Sequence, residues 1–367
     1  MLESYLIAVA VMCGLTILLA IVLLIADATI ANCGEVRISI NDERKLTVRG
    51  GQSLLATLKE EKIFIPSACG GRGSCGLCKL RVLEGGGDPL ATETPWLSED
   101  EIADRVRLSC QVRVKNDLKI VVPEQLFTVT QYETEVVSLR DLTHDIKEVR
   151  LKMVDPARIE FIPGQFIQFE VPPYDLTDEP VYRAYSIASD AGNRGEIDLE
   201  IRYVPNGICT TYVHRHLKEG DRVTINGPYG DFYLRDTDRE ILFIAGGSGM
   251  APIRSILFSM VSRSISRKAT YFFGARTKRD LFLLDEMAGF EKRLSDFRFV
   301  PALSEPASED NWKGETGLVT EVLDRHVSDA SEKEAYLCGS PLMIDACVEV
   351  LKGKGLPEER IYYDKFA

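Results

Sequence analysis

The sequence predicts a multidomain chain: one N-terminal transmembrane helix, a small α+β domain, an antiparallel β-barrel and an α/β domain on a parallel sheet. Three observations predict this order. Residues 4–26 carry no charge. Between about residues 126 and 235, short alternating strands recur between turn signals, as in a closed barrel. From residue 240 the period changes, and apolar strands alternate with helical stretches, as in a parallel sheet flanked by helices. The 367 residues leave room for two or three domains, each with its own core.

The helix comes first. Residues 6–26 span about 31 Å of helix at 1.5 Å per residue, which matches a bilayer core of about 30 Å. A cleaved signal peptide would open on basic residues and carry a shorter apolar run, whereas the only early charge here is Glu3. A helix of a soluble core would show a polar face, and this one has none. Lys and Arg are sparse on both flanks, so charge does not mark the topology. Residues 1–34 are therefore assigned to an anchor and linker.

In residues 35–125, Val36, Ile38 and Ile40 alternate with polar residues and predict a strand, with a second near Leu46 and Val48. Ser53 before Leu54, Leu55 and Leu58 predicts a capped amphipathic helix. A Gly-rich loop follows, then strands at 79–83, 111–114 and 118–122. Residues 126–235 carry strands at 148–153, 166–171, 197–203 and 222–225. Residues 236–367 carry them at 241–245, 269–274, 297–302 and 335–338.

Acidic residues outnumber basic ones by 56 to 44, for a net charge of −12, which excludes a nucleic-acid binder working through phosphate contacts. The nine cysteines are an odd number, in a chain too long for a small disulfide scaffold. Cys13, Cys33, Cys209, Cys338 and Cys347 are scattered; the other four cluster. A reduced, cytosol-facing protein with a metal site fits that pattern.

The four lie in Ser67-Ala68-Cys69-Gly70-Gly71-Arg72-Gly73-Ser74-Cys75-Gly76-Leu77-Cys78 and, 31 intervening residues later, in Leu108-Ser109-Cys110-Gln111. A 2Fe-2S cluster needs four thiolates, two on each iron. Three on one loop and one at a distant strand end is the ferredoxin arrangement. Here the first gap, C-x5-C, is one residue longer than in the plant type. The glycines let the loop fold tightly and turn backbone N–H groups toward the sulfides, which tunes the potential. A zinc site would show paired C-x2–4-C knuckles instead. Cys69, Cys75, Cys78 and Cys110 are the candidate ligands, in a β-grasp ferredoxin domain.

Arg183-Ala184-Tyr185-Ser186 resembles the R-x-Y-S segment of the ferredoxin–NADP reductase superfamily. The arginine suits a flavin phosphate, the tyrosine packs on the isoalloxazine, and the serine hydroxyl can bond N5. Ile201 and Arg202 follow. Gly207, Thr210 and Thr211 resemble that superfamily's pyrophosphate-binding segment at a helix N-terminus. Gly227, in Gly227-Pro228-Tyr229-Gly230, closes the barrel. One such segment is weak; three in order point to FAD, with FMN the alternative on motif grounds.

After an apolar strand, Gly246, Gly247, Gly249, Met250, Ala251 and Pro252 form a glycine turn that opens a helix, suited to close approach of a dinucleotide. Gly274-Ala275-Arg276 follows the next strand. Cys338-Gly339-Ser340-Pro341-Leu342-Met343 resembles a C-G-x-P-x-M segment whose cysteine lies near the nicotinamide C4; the plain alternative for Cys338 is a buried small apolar group. Gly339, Met343 and Arg276 join the candidate binding residues. The tail Tyr362, Tyr363, Asp364, Lys365 and Phe366 offers an aromatic lid, with Phe366 over the flavin. Ser186, Cys338 and Phe366 are the candidate catalytic residues.

Together these segments resemble, over nearly the whole length, the F-subunit family of the sodium-translocating NADH:quinone oxidoreductases. Gly85-Gly86-Gly87-Asp88, residues 107–112, residues 249–255 and Glu309-Asp310-Asn311-Trp312 add to the match. The segment before R-x-Y-S and the loop before Gly207 are short, and Ser340 stands where the family has proline. The resemblance implies a membrane-anchored NADH dehydrogenase component of the bacterial inner membrane, its soluble domains facing the cytoplasm. It implies electrons passing from NADH to FAD, to the cluster, then to membrane partner subunits and quinone, with sodium moved by the complex. A flavin joins hydride transfer to one-electron transfer. NADH over NADPH rests on the resemblance, since Arg276, Lys278 and Arg279 also suit a 2′-phosphate. The rival enzyme reading is a reductase feeding an oxygenase, against which the apolar segment 6–26 argues. An assembly protein without cofactors is the non-enzymatic rival, against which the complete cysteine and flavin segments argue.

Overall fold

The computed structural model describes residues 2–26 and 34–366; the linker expected at 27–33 lies outside them. The chain divides into two compact units. One comprises Met1–Ile65 with Gly71–Thr128, the other Pro66–Gly70 with Val129–Ala367.

In the first unit, α1 (Leu2–Ala26) is long and apolar enough to cross a membrane. From Tyr5 to Val22 none of it is buried within the protein, and Cys13 on it is exposed. With no polar face, it has no side to give to water. A mixed sheet follows, built from β1 (Glu35–Ile40), β2 (Arg44–Arg49), β3 (Lys79–Glu84), β4 (Val106–Leu108) and β5 (Leu118–Val121). Its order is β2-β1-β5-β3-β4, parallel only between β1 and β5. The short α2 (Leu54–Glu60) buries Leu54 and Leu58 in the core shared with Ile38 and Ile40. Ser53 caps it, its Oγ accepting from Ala56 N at 3.2 Å. A second short helix, α3 (Glu99–Ala103), opens on a Ser98–Glu101 capping box.

The strand expected at 111–114 is not formed. Val112 and Val114 are buried, which gives the apolar alternation of a strand. Their backbone groups instead bond the turn before α2: Gly51 N to Val114 O, Val114 N to Gln52 O and Leu54 N to Val112 O. Only Arg113 makes a bridge, to Ser53.

In the second unit, β6 (Thr130–Asp141), β7 (Ile146–Asp155), β8 (Phe166–Val171), β9 (Val181–Ser186), β10 (Glu196–Arg202) and β11 (Arg222–Tyr229) run β10-β7-β6-β11-β8-β9, with every pair antiparallel. A bridge between Ile187 and Leu199 links the two ends of this row. Periodicity did not mark β6, because one of its inward positions is Thr134, whose hydroxyl donates to Val223 O at 2.7 Å. Helix α4 (Ile208–Arg215) follows β10.

The last sheet comprises β12 (Glu240–Gly246), β13 (Ala269–Ala275), β14 (Phe297–Leu303), β15 (Glu315–Thr316), β16 (Lys333–Gly339) and β17 (Ile361–Lys365). Its order is β15-β14-β13-β12-β16-β17, and each neighbouring pair is parallel. Both faces are covered, so its central strands are apolar throughout. Phe243, Tyr271 and Phe273 share one core with α5 (Met250–Ser262) and α6 (Leu284–Arg293). Leu242, Ile244 and Phe272 share the other with α7 (Val319–His326) and α8 (Pro341–Gly353). The C-terminal residues expected as a lid form β17 up to Lys365, and Tyr362 stacks on Tyr336 at 5.0 Å.

Candidate functional site

Cys75, Cys78 and Cys110 belong to the first unit; Cys69 lies in Pro66–Gly70, which groups with the second. The loop has no helix or strand, so backbone conformation shapes it. Gly70, Gly71, Gly73 and Gly76 all lie at φ between +67° and +87°. At Gly76 a side chain would be excluded twice: by φ +68°, and by Trp96 Cε3, 2.9 Å from where a Cβ would stand. The buried Cys78 thiol is pushed far up, first by its hydrogen bond with Cys110 and then by burial. Gln111 Nε2 donates to Cys110 Sγ at 3.4 Å, and Ser109 N donates to Cys78 O at 2.8 Å. Soft sulfur donors facing one another under a glycine-shaped backbone fit an iron–sulfur cluster and not a hard cation.

The strand end before Cys110 is clamped. Arg107, 4% exposed, donates from Nη2 to Glu93 Oε2 at 2.6 Å and from Nη1 to Gly86 O and Gly87 O at 2.6 and 2.7 Å. Glu93, fully buried, also accepts from Leu90 N and Leu108 N. Burial alone would raise the Glu93 carboxyl; Arg107 and the two amides outweigh it and hold it below the usual range.

On β9, Arg183, Ala184 and Tyr185 are half-buried and Ser186 is buried. Arg183 Nη1 donates to Tyr182 O at 2.7 Å. A Cβ on Gly70, beside Cys69, would stand 2.2 Å from that nitrogen. Tyr185 meets Phe169 edge-on at 6.1 Å. Gly207 caps α4, and the Thr210 hydroxyl is taken up locally, accepting from Val204 N and donating to Val204 O, each at 3.1 Å. Thr211 and Ile201 are buried. Gly227, at φ +153°, lies against Ile167. A helix N-terminus, which favours anions, packed beside an Arg-Tyr-Ser strand fits a flavin nucleotide.

The order of the last sheet reverses at β12, so β12 and β16 flank a topological switch point, where dinucleotides bind at the carboxyl ends of strands. Gly246, Gly249, Cys338, Gly339 and Met343 come together there. A Cβ on Gly249 would stand 2.2 Å from Cys338 O, and one on Gly246 3.2 Å from Met343 Sδ. At Gly249 only glycine permits that approach to backbone. Phe366 N donates to Gly339 O at 2.8 Å. Cys338 itself is wholly buried, and burial raises its thiol well above the usual range. Met250, Ala251 and Pro252 open α5 and are buried.

Beside this turn a cleft of about 620 Å³ is lined by Arg202, Gly247, Gly274, Arg276, Lys278 and Arg279, among others. Its lining is mixed in charge, since Asp145, Asp280, Glu305 and Asp310 face the same space and Arg276 pairs with Glu305 at 2.8 Å; its size fits a dinucleotide. Arg202, grouped by sequence with the flavin segments, is brought here to Gly247 and Arg276, and pairs with Asp145 at 2.8 Å. His144, Asp145 and Asp280 gather on the cleft wall, but Asp145 is already engaged by Arg202 and Thr143, and Asp280 by Thr277. Arg254 falls within the 249–255 segment that the sequence marks, but the sequence assigns it no role. It is buried where the barrel meets the parallel sheet, ion-paired with Glu148, Asp198, Glu200 and Glu286. No local pattern marks that role, because Glu148 lies 106 positions away.

The chain matches the family models of the 2Fe-2S iron-sulfur cluster binding domain over residues 38–115, the oxidoreductase FAD-binding domain over 133–233 and the oxidoreductase NAD-binding domain over 243–349. It is 38% identical to the F subunit of the Na(+)-translocating NADH-quinone reductase of Neisseria meningitidis, covering 96% of each chain. It is 37% identical to that of Serratia proteamaculans, covering 98% of each. Among solved structures, the Amycolatopsis cytochrome P450 reductase GcoB matches with a TM-score of 0.73 at 28% identity, covering 90% of this chain and 98% of that one. The ferredoxin reductase in carbazole 1,9a-dioxygenase matches with a TM-score of 0.71 at 30% identity, covering 91% and 99%.

Proposed function

We propose a function from one premise: this chain belongs to the F-subunit family of the Na(+)-translocating NADH-quinone reductases. It is an oxidoreductase that takes electrons from NADH and passes them, through FAD and a 2Fe-2S cluster, to the other subunits of a quinone-reducing complex. One observation carries the reading. The glycine turn after β12 and the Cys338-Gly339 end of β16 close on one crevice, in a chain that also bears the cysteine loop and the Arg183–Ser186 strand.

The residue roles are part of the proposal. Cys69, Cys75, Cys78 and Cys110 ligate the cluster in a β-grasp domain of residues 35–125. Within a flavin barrel of residues 126–235, Arg183 and the start of α4 hold the FAD phosphates, Tyr185 supports the ring, and the Ser186 hydroxyl bonds N5. In a nicotinamide domain of residues 236–367, Gly246, Gly247 and Gly249 seat the dinucleotide and Arg276 faces its adenosine end. Cys338 lies under the nicotinamide site, its full burial matching a small apolar packing group, and Phe366 guards the flavin face. Bound FAD supplies the conversion of a two-electron hydride into single electrons. Residues 1–34 form a single-pass anchor with the soluble domains on the cytoplasmic side. Sodium movement falls to the partner subunits.

The test is an anaerobic titration of the full-length chain with NADH, followed by visible absorbance. Flavin and iron–sulfur bands that bleach together support the reading; a preparation with neither band overturns it. The two oxygenase-type reductases among the solved structures favour a second reading, electron delivery to an oxygenase. Copurification from membranes with quinone-reductase subunits would exclude it.

A further inference from the structure

The barrel and the parallel sheet meet along a buried seam of charge that the hydride path does not by itself require. Arg254, on α5, is 4% exposed. Its Nη1 donates to Glu148 Oε2 on β7 at 3.0 Å and to Glu200 Oε1 on β10 at 3.4 Å. Its Nε and Nη2 donate to both oxygens of Glu286 on α6, at 2.6 and 3.0 Å. Asp198 Oδ2 stands 3.9 Å from Nη1 and is held from its other side by Arg150. The next residue, Ser255, donates from Oγ to Ser189 O at 2.8 Å. Ser189 is three residues beyond Ser186, and Ala188 N and Asp198 N tie the same segment to β10.

This joint connects two things that must be held in register. On one side is the backbone just after the flavin strand. On the other is α5, which begins directly after the Gly247–Gly249 turn. Arg254 lies only about 6 Å along the helix from Met250 at 1.5 Å per residue, so α5 transmits its position to the turn as a short rigid rod. A buried ion network adds little net stability over an apolar seam of the same volume. It does fix one geometry, because its charge-assisted bonds are short and directional.

We propose that Arg254 and Ser255 are positioning residues that lock the nicotinamide turn to the flavin strand and so set the separation across which hydride passes. This inference rests on the hydride-transfer reading of the site. The test uses the full-length chain with its cofactors, as Ser255→Ala, Ser255→Thr and Arg254→Lys. Two measurements are made: stopped-flow reduction of the flavin by NADH, and hydrogen exchange of the backbone at 187–189 and 247–249. Ser255→Ala should slow flavin reduction at saturating NADH by about tenfold with KM nearly unchanged, since a displacement of about 1 Å can cost up to a hundredfold. Ser255→Thr, which keeps the hydroxyl, should recover most of that rate, and Arg254→Lys should lose more than Ser255→Ala. In Ser255→Ala, exchange should rise at both segments together. Wild-type reduction rates in Ser255→Ala, a loss confined to KM, or faster exchange at only one segment would each overturn the proposal. If the wild-type flavin is not reduced by NADH at all, the functional reading falls instead, and the exchange data still report on the joint.

Discussion

The cysteine loop and the Arg254 seam each fix a local geometry, and they do it with different parts of the polypeptide. In the loop, backbone dihedrals carry the geometry: four glycines sit at positive φ, and the loop has no helix or strand of its own. In the seam, side chains carry it: one buried guanidinium is shared among carboxylates from β7, β10 and α6. A backbone device writes itself into consecutive residues. A side-chain device gathers residues from across the chain and leaves no local trace.

The largest effect expected from breaking this contrast is at the loop. On the proposed ligation, Cys78→Ser removes one of the four thiolates. It should abolish the iron–sulfur absorbance and electron delivery to a one-electron acceptor while NADH still bleaches the flavin; retained iron–sulfur bands would refute the ligand assignment. Next comes the buried Arg107–Glu93 clamp. Arg107→Met strands the fully buried Glu93 carboxylate and should cost about 3–5 kcal/mol in denaturant unfolding, while pairing it with Glu93→Met should recover most of the loss. A double variant as unstable as the single would show that the pair is not the cause. Gly76→Ala, at φ +68° against Trp96, should cost about 1–2 kcal/mol. An unchanged unfolding midpoint would mean the loop backbone is not constrained.

The smallest effect sharpens the seam. Glu200 Oε2 has no hydrogen-bond partner, and burial, only partly offset by Arg254, pushes the carboxyl up to about 8, with Glu148, Glu286 and Asp198 adding repulsion. A raised carboxyl holds its proton in the folded state. Its contribution is complete below the ordinary value of 4.5, falls as pH rises and is lost above about 8. Glu200→Gln cannot titrate, so its Tm should gain steadily on the wild type as pH climbs from 5 toward 9. Parallel Tm curves over that range would count against a protonated Glu200.

Legibility in the sequence follows the same division. The apolar run of α1, the cysteine spacing and the glycine turns were readable because each constraint acts between near neighbours. The strand expected at 111–114 was misread because buried Val112 and Val114 imitate strand alternation while bonding a helix cap. Strand β6 escaped notice because Thr134, polar in composition, points inward and spends its hydroxyl on Val223 O. Arg202 is grouped with the flavin segments because it ends a strand of the antiparallel sheet, and the fold also sets it on the cleft that Gly247 and Gly274 line. Arg254 lies in the matched segment 249–255, but its role was not legible because it depends on Glu148 and Glu200, which only the folded chain brings near.

The bare surface of α1 has a practical corollary. Among the described cysteines Cys13 alone is exposed, and it lies within the apolar run. The helix therefore carries a native chemical reporter. In a Cys33→Ser background, a water-soluble maleimide applied to the protein in vesicles would measure how deeply this thiol is shielded by lipid, with no foreign label introduced into either redox unit.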